Sequence, residues 1–228
     1  MVINFFSFSD LILIIILQII LLLYLGSCNF LTTDLAPLIK QHCLNDKQLF
    51  DYVIRLLSSL TIPPILLFKE QIPDNIEKRK IYLDLQQYVF NYKQDLSIDV
   101  MFWSVIAKQM LKILQIEQDK REEDDKIILE RMLILIRNIL NITAPDEEDC
   151  IAGEDNTHDK LLISMKKACI YDILIYICQT VNEHELAFHV LEIFQLMFRE
   201  QEAEILAKLT DSLRLSEAEK RKGYLFFK

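Results

Sequence analysis

The residues best suited to chemistry in this 228-residue chain lie in "EHELAFH", 183–189, and in two carboxylate clusters. His184 and His189 give the pattern H-E-x-x-x-H, one residue longer than a helical zinc motif. Zinc on a helix needs histidines at i and i+4, on one face. Five residues apart, the two imidazoles stand about 140° from each other around the axis. They are read as surface and core histidines. Glu122–Asp125 and Asp146–Asp149 supply contiguous acids, which at a helix start or in a loop are solvated charge favoured by the positive helix N-terminus. Cys28, Cys43, Cys150, Cys169 and Cys178 never form C-x-x-C, so they are read as reduced thiols. No nucleophile elbow is present. Three isolated glycines leave no loop to cradle a phosphate. The reading is no catalytic residue, no metal ligand and no cofactor.

Binding chemistry fares better. Phe102 and Trp103 have the faces to stack on bases, but no basic residues interleave with them, so they are read as core anchors. The electrostatic candidates are Arg131, Arg137, Lys166 and Lys167, with Lys220–Lys222 behind them. Salt bridging within the fold is the plainer role for each. The overall charge of −9 excludes a protein that coats nucleic acid without specificity.

Helices must position these groups. Glycine and proline are scarce, Leu, Ile, Lys and Glu abundant, and no strand signal occurs. Thr33 is placed as the cap of a helix through "DLAPLIKQHC". Asn45 opens the next, where Leu49, Val53, Leu56, Leu57 and Leu60 share a face, and "IPP" at 62–64 stops it. Pro73-Asp74 starts a third, with Ile76, Leu83, Val89 and Tyr92 apolar, and Ser97 caps "IDVMFWSVIAKQMLKIL". The run "IILERMLILIRNILNI", 127–142, is apolar on nearly every side and therefore central, so Arg137 needs partners within the fold. Residues 143–157 read as an acidic, solvated loop. Residues 157–181 read as two short helices or one bent one. Asn182 with Glu185 forms a capping box for the helix carrying Leu186, Val190, Ile193, Phe194 and Met197. Ser216 with Glu219 caps a last one. Seven to nine amphipathic helices predict an all-α fold, an α-solenoid of armadillo/HEAT-like repeats.

The first 28 residues differ from the rest. They carry one charge, Asp10, while all 25 bases follow later, the first being Lys40. The uninterrupted run Leu11–Leu25 would span about 22 Å as a helix, short of the roughly 30 Å of a bilayer core. A signal peptide would need basic residues before it.

Several blocks in order, "LGSCNFLTTDLAPLI", "LFDYVIRLLSSLTIPPILLF", "REEDDKIILERMLILIRNILNI", "HDKLL" and "HVLEIFQLMFREQ", make the chain resemble the Timeless family in its N-terminal helical region, from about Leu25 to Leu213. The resemblance implies an all-helical armadillo- or HEAT-like array and a nuclear, non-enzymatic scaffold of the replication fork protection complex. It implies a Tipin-like heterodimer partner, contacts with replisome helicase and polymerase and with duplex DNA, and signalling to S-phase checkpoint kinases. Family members are several-fold longer, so residues 25–228 are read as a helical domain truncated at its C-terminal end. Residues 1–24 then stand as an apolar leader rich in residues encoded by AT-rich DNA. Part of it is read as translated noncoding sequence joined by a faulty gene model, against a buried N-terminal helix or a membrane anchor. Taken at face value, the leader gives the alternative of a membrane-tethered helical adaptor.

Overall fold

A computed structural model describes residues 8–143 and 157–199. They form an all-α structure of ten α-helices with no strand among the described residues. The helices are α1 Phe8–Ser27, α2 Ala36–Gln41, α3 Lys47–Leu60, α4 Pro64–Leu67, α5 Ile76–Ile98, α6 Val100–Leu114, α7 Glu123–Asn141, α8 Thr157–Lys167, α9 Ile170–Gln179 and α10 Ala187–Phe198.

The helices sort into three layers: α1–α3, α5–α7 and α8–α10. Each packs mainly on the layer beside it, in three rows: α1 on α5 on α8, α2 on α6 on α9, and α3 on α7 on α10. The bonds that tie the rows show their direction. Lys47 pairs with Asp125 and Asp51 with Arg131, while Asn138 donates to the Ser58 carbonyl, so α3 and α7 run parallel. His189 bonds Glu130 and Arg199 bonds Asn141, so α7 and α10 do too. Lys93 meets His158, and Ser97 accepts from Ser164, so α5 and α8 follow the same rule. Parallel stacking of like helices, one unit upon the next, is the logic of a helical-repeat array, in which each unit buries its apolar face only against its neighbours.

The middle layer holds the core. In α7, Ile128, Leu129, Met132, Leu133, Leu135, Ile136, Ile139 and Leu140 are buried, because α3, α6, α5 and α10 all cover it. The central position read from its apolar surface is the one it occupies. Trp103 is fully buried, donates from Nε1 to the Leu96 carbonyl at 2.8 Å, and stacks edge-on with Phe102 at 5.2 Å. Both aromatics are core anchors.

Several caps fall elsewhere than the sequence suggests. Asp99, not Ser97, caps α6 by accepting from the Phe102 amide at 3.0 Å, while Ser97 remains inside α5 with its hydroxyl on the Gln94 carbonyl. A carboxylate accepts more strongly there than a hydroxyl. Asp46, not Asn45, caps α3, and Asn75 caps α5 through the amides of Glu77 and Lys78. Thr33 caps nothing. It sits in a π-helical turn, Leu31–Leu35, with its hydroxyl on the Asn29 carbonyl. The capping box at Asn182 and Glu185 does not open an α-helix: a 3₁₀ turn, Val181–Leu186, leads into α10, and no side chain caps either. Ile76 and Leu83 of α5 are exposed rather than buried. The 143–157 loop beyond Thr143, Cys150, Lys220–Lys222 and the Ser216 cap lie outside the described residues.

The second half of the leader is part of α1. Leu22 is buried and Ile19, Leu23 and Leu25 pack on the core. Gly26 lies so close to Tyr88 of α5 that a Cβ there would stand 2.4 Å from its ring. Ile16, Leu17, Ile20, Leu21 and Tyr24 face outward. No single helix among the described residues is long and apolar enough to cross a membrane; the bent pair Ile16–Ser27 and Leu31–Gln41, at 67°, passes only by length and composition.

Candidate functional site

The joint between the second and third layers carries two arginine–glutamate pairs, one at each end. At the N-terminal ends of α7 and α10, Arg121 meets Glu183 in a two-pronged pair, Nη1 to Oε2 at 2.9 Å and Nη2 to Oε1 at 2.7 Å. Their side chains are 4% and 5% exposed. The same guanidinium donates from Nε to the carbonyls of Ile113 and Ile116, and from Nη2 to Leu114. It thereby adds donors to carbonyls at and just beyond the C-terminal end of α6, where a helix leaves its last carbonyls without intrahelical donors; Ile113 also accepts from the Ile116 amide at 3.1 Å. Drawing Glu183 inward accompanies the tight turn at 181–186 and its departure from a regular helix start.

Sequence reading missed this pair. Arg121 sits in the run "EQDKREEDDK", which reads as solvated charge, and its partner is 62 residues away. The only local sign is a lone arginine placed between the ends of two helices whose carbonyls need donors.

At the C-terminal ends of α7 and α10 the joint opens into a cleft of about 360 Å³ between α4, α7 and α10. Pro63, Leu66 and Leu196 are its apolar lining residues. Arg137 and Glu192 lie across from one another in it, Nη1 to Oε2 at 2.9 Å, with side chains 31% and 55% exposed. Asn138, Asn141 and Gln195 complete the lining. Asn138 is spent inward, its amide nitrogen donating to the Ser58 carbonyl. Asn141 accepts through Oδ1 from Arg199 at 3.1 Å.

The four predicted interaction residues separate. Arg131 belongs to the joint between the first two layers, bonded to Asp51, with its own carbonyl accepting from Ser58. Arg137 lines the cleft. Lys166 and Lys167 are exposed in the last turn of α8, where positive charge complements the helix dipole. These positions form no single patch. His189 bonds Glu130 at 3.4 Å and His184 is exposed on the 3₁₀ turn. Among the described residues, no group of three or more His, Cys, Asp or Glu is placed to hold a metal.

An all-α stack of three-helix units, tied by polar bonds between layers, is consistent with a helical-repeat fold. Comparison narrows this further. The Timeless protein family model matches residues 19–225, and the chain belongs to that family. It is 36% identical over 184 residues to the protein timeless homolog of Homo sapiens, covering 80% of this chain and 15% of that one. It is 31% identical over 199 residues to the protein timeless homolog of Caenorhabditis elegans, covering 86% and 14%. The mating-type switching protein swi1 of Schizosaccharomyces pombe is 27% identical over 186 residues. The chain thus spans about one-seventh of the length of the animal relatives it matches. The match begins inside the apolar leader, so residues 19–24 lie within the family region.

Proposed function

We propose that this chain is part of a non-enzymatic scaffold of the replication fork protection complex, acting in the nucleus through protein–protein contacts. Membership of the Timeless family over residues 19–225 carries this reading. A stack of rigid layers suits it, since such arrays present extended surfaces to partners. The partner is a Tipin-like protein in a heterodimer. Further contacts reach the replisome helicase and polymerase and duplex DNA, supporting replication pausing and S-phase checkpoint signalling. Lys166 and Lys167, exposed at the end of α8, are the residues available for the DNA contact.

The test is isolation of nascent DNA from cells expressing the tagged protein. Its recovery with newly labelled DNA, lost after a chase with unlabelled thymidine, is the expected result. Recovery only in a detergent-extracted membrane fraction would overturn the reading and favour the membrane-tethered adaptor.

A further inference from the structure

We propose that residues 200–213 of this same chain begin a fourth layer, seated on the outer face of α8 and α9 and parallel to α8. The proposal stands apart from the fork reading. It assigns that face to the chain itself rather than to a partner.

Repetition is the first observation. α5 packs on α1 and on the π-helical turn that leads into α2, and α8 packs on α5 and α6. The helix that opens a layer thus lies over the first two elements of the layer before it. The third layer offers the same bed. Ile163 of α8 and Ile175 and Tyr176 of α9 are exposed. They point away from the buried stripes of their own helices, Leu161 with Met165 in α8 and Ile173 with Ile177 in α9. Large apolar side chains exposed on two adjoining helices mark a surface that something covers.

Where the chain goes is the second observation. Lys93 of α5 donates to the Ile142 carbonyl, just past α7, at 2.6 Å, and stands 3.3 Å from His158 Nδ1. The chain therefore leaves the second layer and enters the third at one place on α5. One layer further, His158 Nε2 lies 3.4 Å from the Met197 carbonyl in the last turn of α10. The chain leaves the third layer at the first turn of α8, with the length of that helix ahead of it. The exposed stripe of α1 is another apolar bed, but it lies two layers away. At a helix spacing of about 8–10 Å, the segment would have to cross roughly 16–20 Å before it could pack there.

Sequence supplies the occupant. Residues 200–213, "EQEAEILAKLTDSL", hold no glycine or proline. Leu206, Leu209 and Leu213 fall at i, i+3 and i+7, the stripe of an amphipathic helix. The segment is long enough to follow the 11 residues of α8. Charge agrees with the seat. The exposed charges of α8 are Lys160, Lys166 and Lys167, whereas the segment carries Glu200, Glu202, Glu204 and Asp211 against Lys208. Lys160 precedes Ile163 by one turn, and Glu202 precedes Leu206 by one turn. A parallel seat with Leu206 on Ile163 sets Glu202 against Lys160. The Timeless family match also runs to residue 225, so the segment belongs to the same family region.

The experiment is hydrogen exchange of the 228-residue chain, read by mass spectrometry. Peptides from 200–213 should exchange at least about tenfold more slowly than an unstructured chain. An isolated helix of this length is marginal in water, so such protection reports docking. Ile163→Asp and Leu206→Asp should each remove it, while Lys208→Ala and Leu17→Asp, on the α1 stripe, leave it unchanged. Unaltered protection of α7 in the same samples shows that each variant is folded. Exchange of 200–213 at the unstructured rate would overturn the proposal. So would protection lost with Leu17→Asp and kept with Ile163→Asp, which would place the segment on α1. Protection that rises with protein concentration would overturn it in favour of a second copy of the chain. Carbodiimide should join Lys160 to Glu202 within one chain; a link from Glu202 to Lys167 in its place would reverse the segment and overturn the fourth-layer seat. Recovery of the protein with nascent DNA does not depend on these outcomes, so the two readings fail separately.

Discussion

Arg121–Glu183 and Arg137–Glu192 join the same two layers with the same pair of residue types, yet they do opposite work. The first is enclosed, two-pronged and saturated with carbonyls. The second is single-pronged, half in solvent and faces an open cleft. The difference lies in what surrounds each arginine. Arg121 stands where α6 ends, with three carbonyls in reach, whereas Arg137 stands inside α7, whose carbonyls are already paired. One end of the joint is therefore enclosed and the other is open to solvent.

The largest effect should come from unlocking the closed end. Arg121→Ala strands a buried carboxylate and removes a donor from three carbonyls, and should cost about 3–5 kcal/mol in a denaturant melt. Replacing both partners together, Arg121→Met with Glu183→Leu, should recover much of that loss, because no charge is then left buried. Full loss in the double variant would show that the bonds to the α6 carbonyls, rather than the ion pair, close this end.

At the joint between the first two layers, ion pairs tie α3 to α7, whereas α1 seats on α5 by shape. Gly26→Ala drives a methyl group against the Tyr88 ring, close to its attachment point, where it has little room to yield. The expected cost is about 1–3 kcal/mol, read as a lowered melting temperature and faster amide exchange in α1. Unchanged exchange there would mean that α1 does not seat on α5.

At the open end, Arg137→Ala should change stability by no more than about 1 kcal/mol, as exposed pairs do. A cost near that of Arg121→Ala would erase the contrast between the two ends.

The smallest effect at neutral pH concerns Cys43. Burial, with help from the Asp46 charge, pushes its thiol up to about 11. Because the thiol ionises more readily in the unfolded chain, Cys43 leaves stability unchanged below about pH 9, and stability falls as pH rises from there towards 11. A neutral-pH thiol reagent should modify the exposed Cys28, Cys169 and Cys178 and spare Cys43.

Much of this architecture was legible in the letters because it depends on local spacing. The all-apolar run of α7 announced a central helix, "IPP" ended α3, and Trp103 without basic neighbours announced a core anchor. Exact caps were less legible: Ser97 and Asp99 are both good caps two residues apart, and the stronger carboxylate takes the position while the Ser97 carbonyl accepts from Ser164 of α8. The layering was not legible, since like helices in successive layers share no strict sequence repeat. Nor were the two joints. Arg121 finds its glutamate 62 residues along the chain and Arg137 finds its own 55 along, so local pattern cannot tell the buried arginine from the available one. The apolar setting of Arg137 predicts a buried side chain with partners inside the fold; Glu192 is such a partner, but the side chain is 31% exposed.

Parallel rows of like helices have a mechanical consequence. Each layer is braced mainly by the one beside it, so the middle layer has support on two sides and each outer layer on one. Such a stack behaves as a short spring of coupled plates: tension at one end is passed through α3, α7 and α10 in series, and the weakest joint gives first.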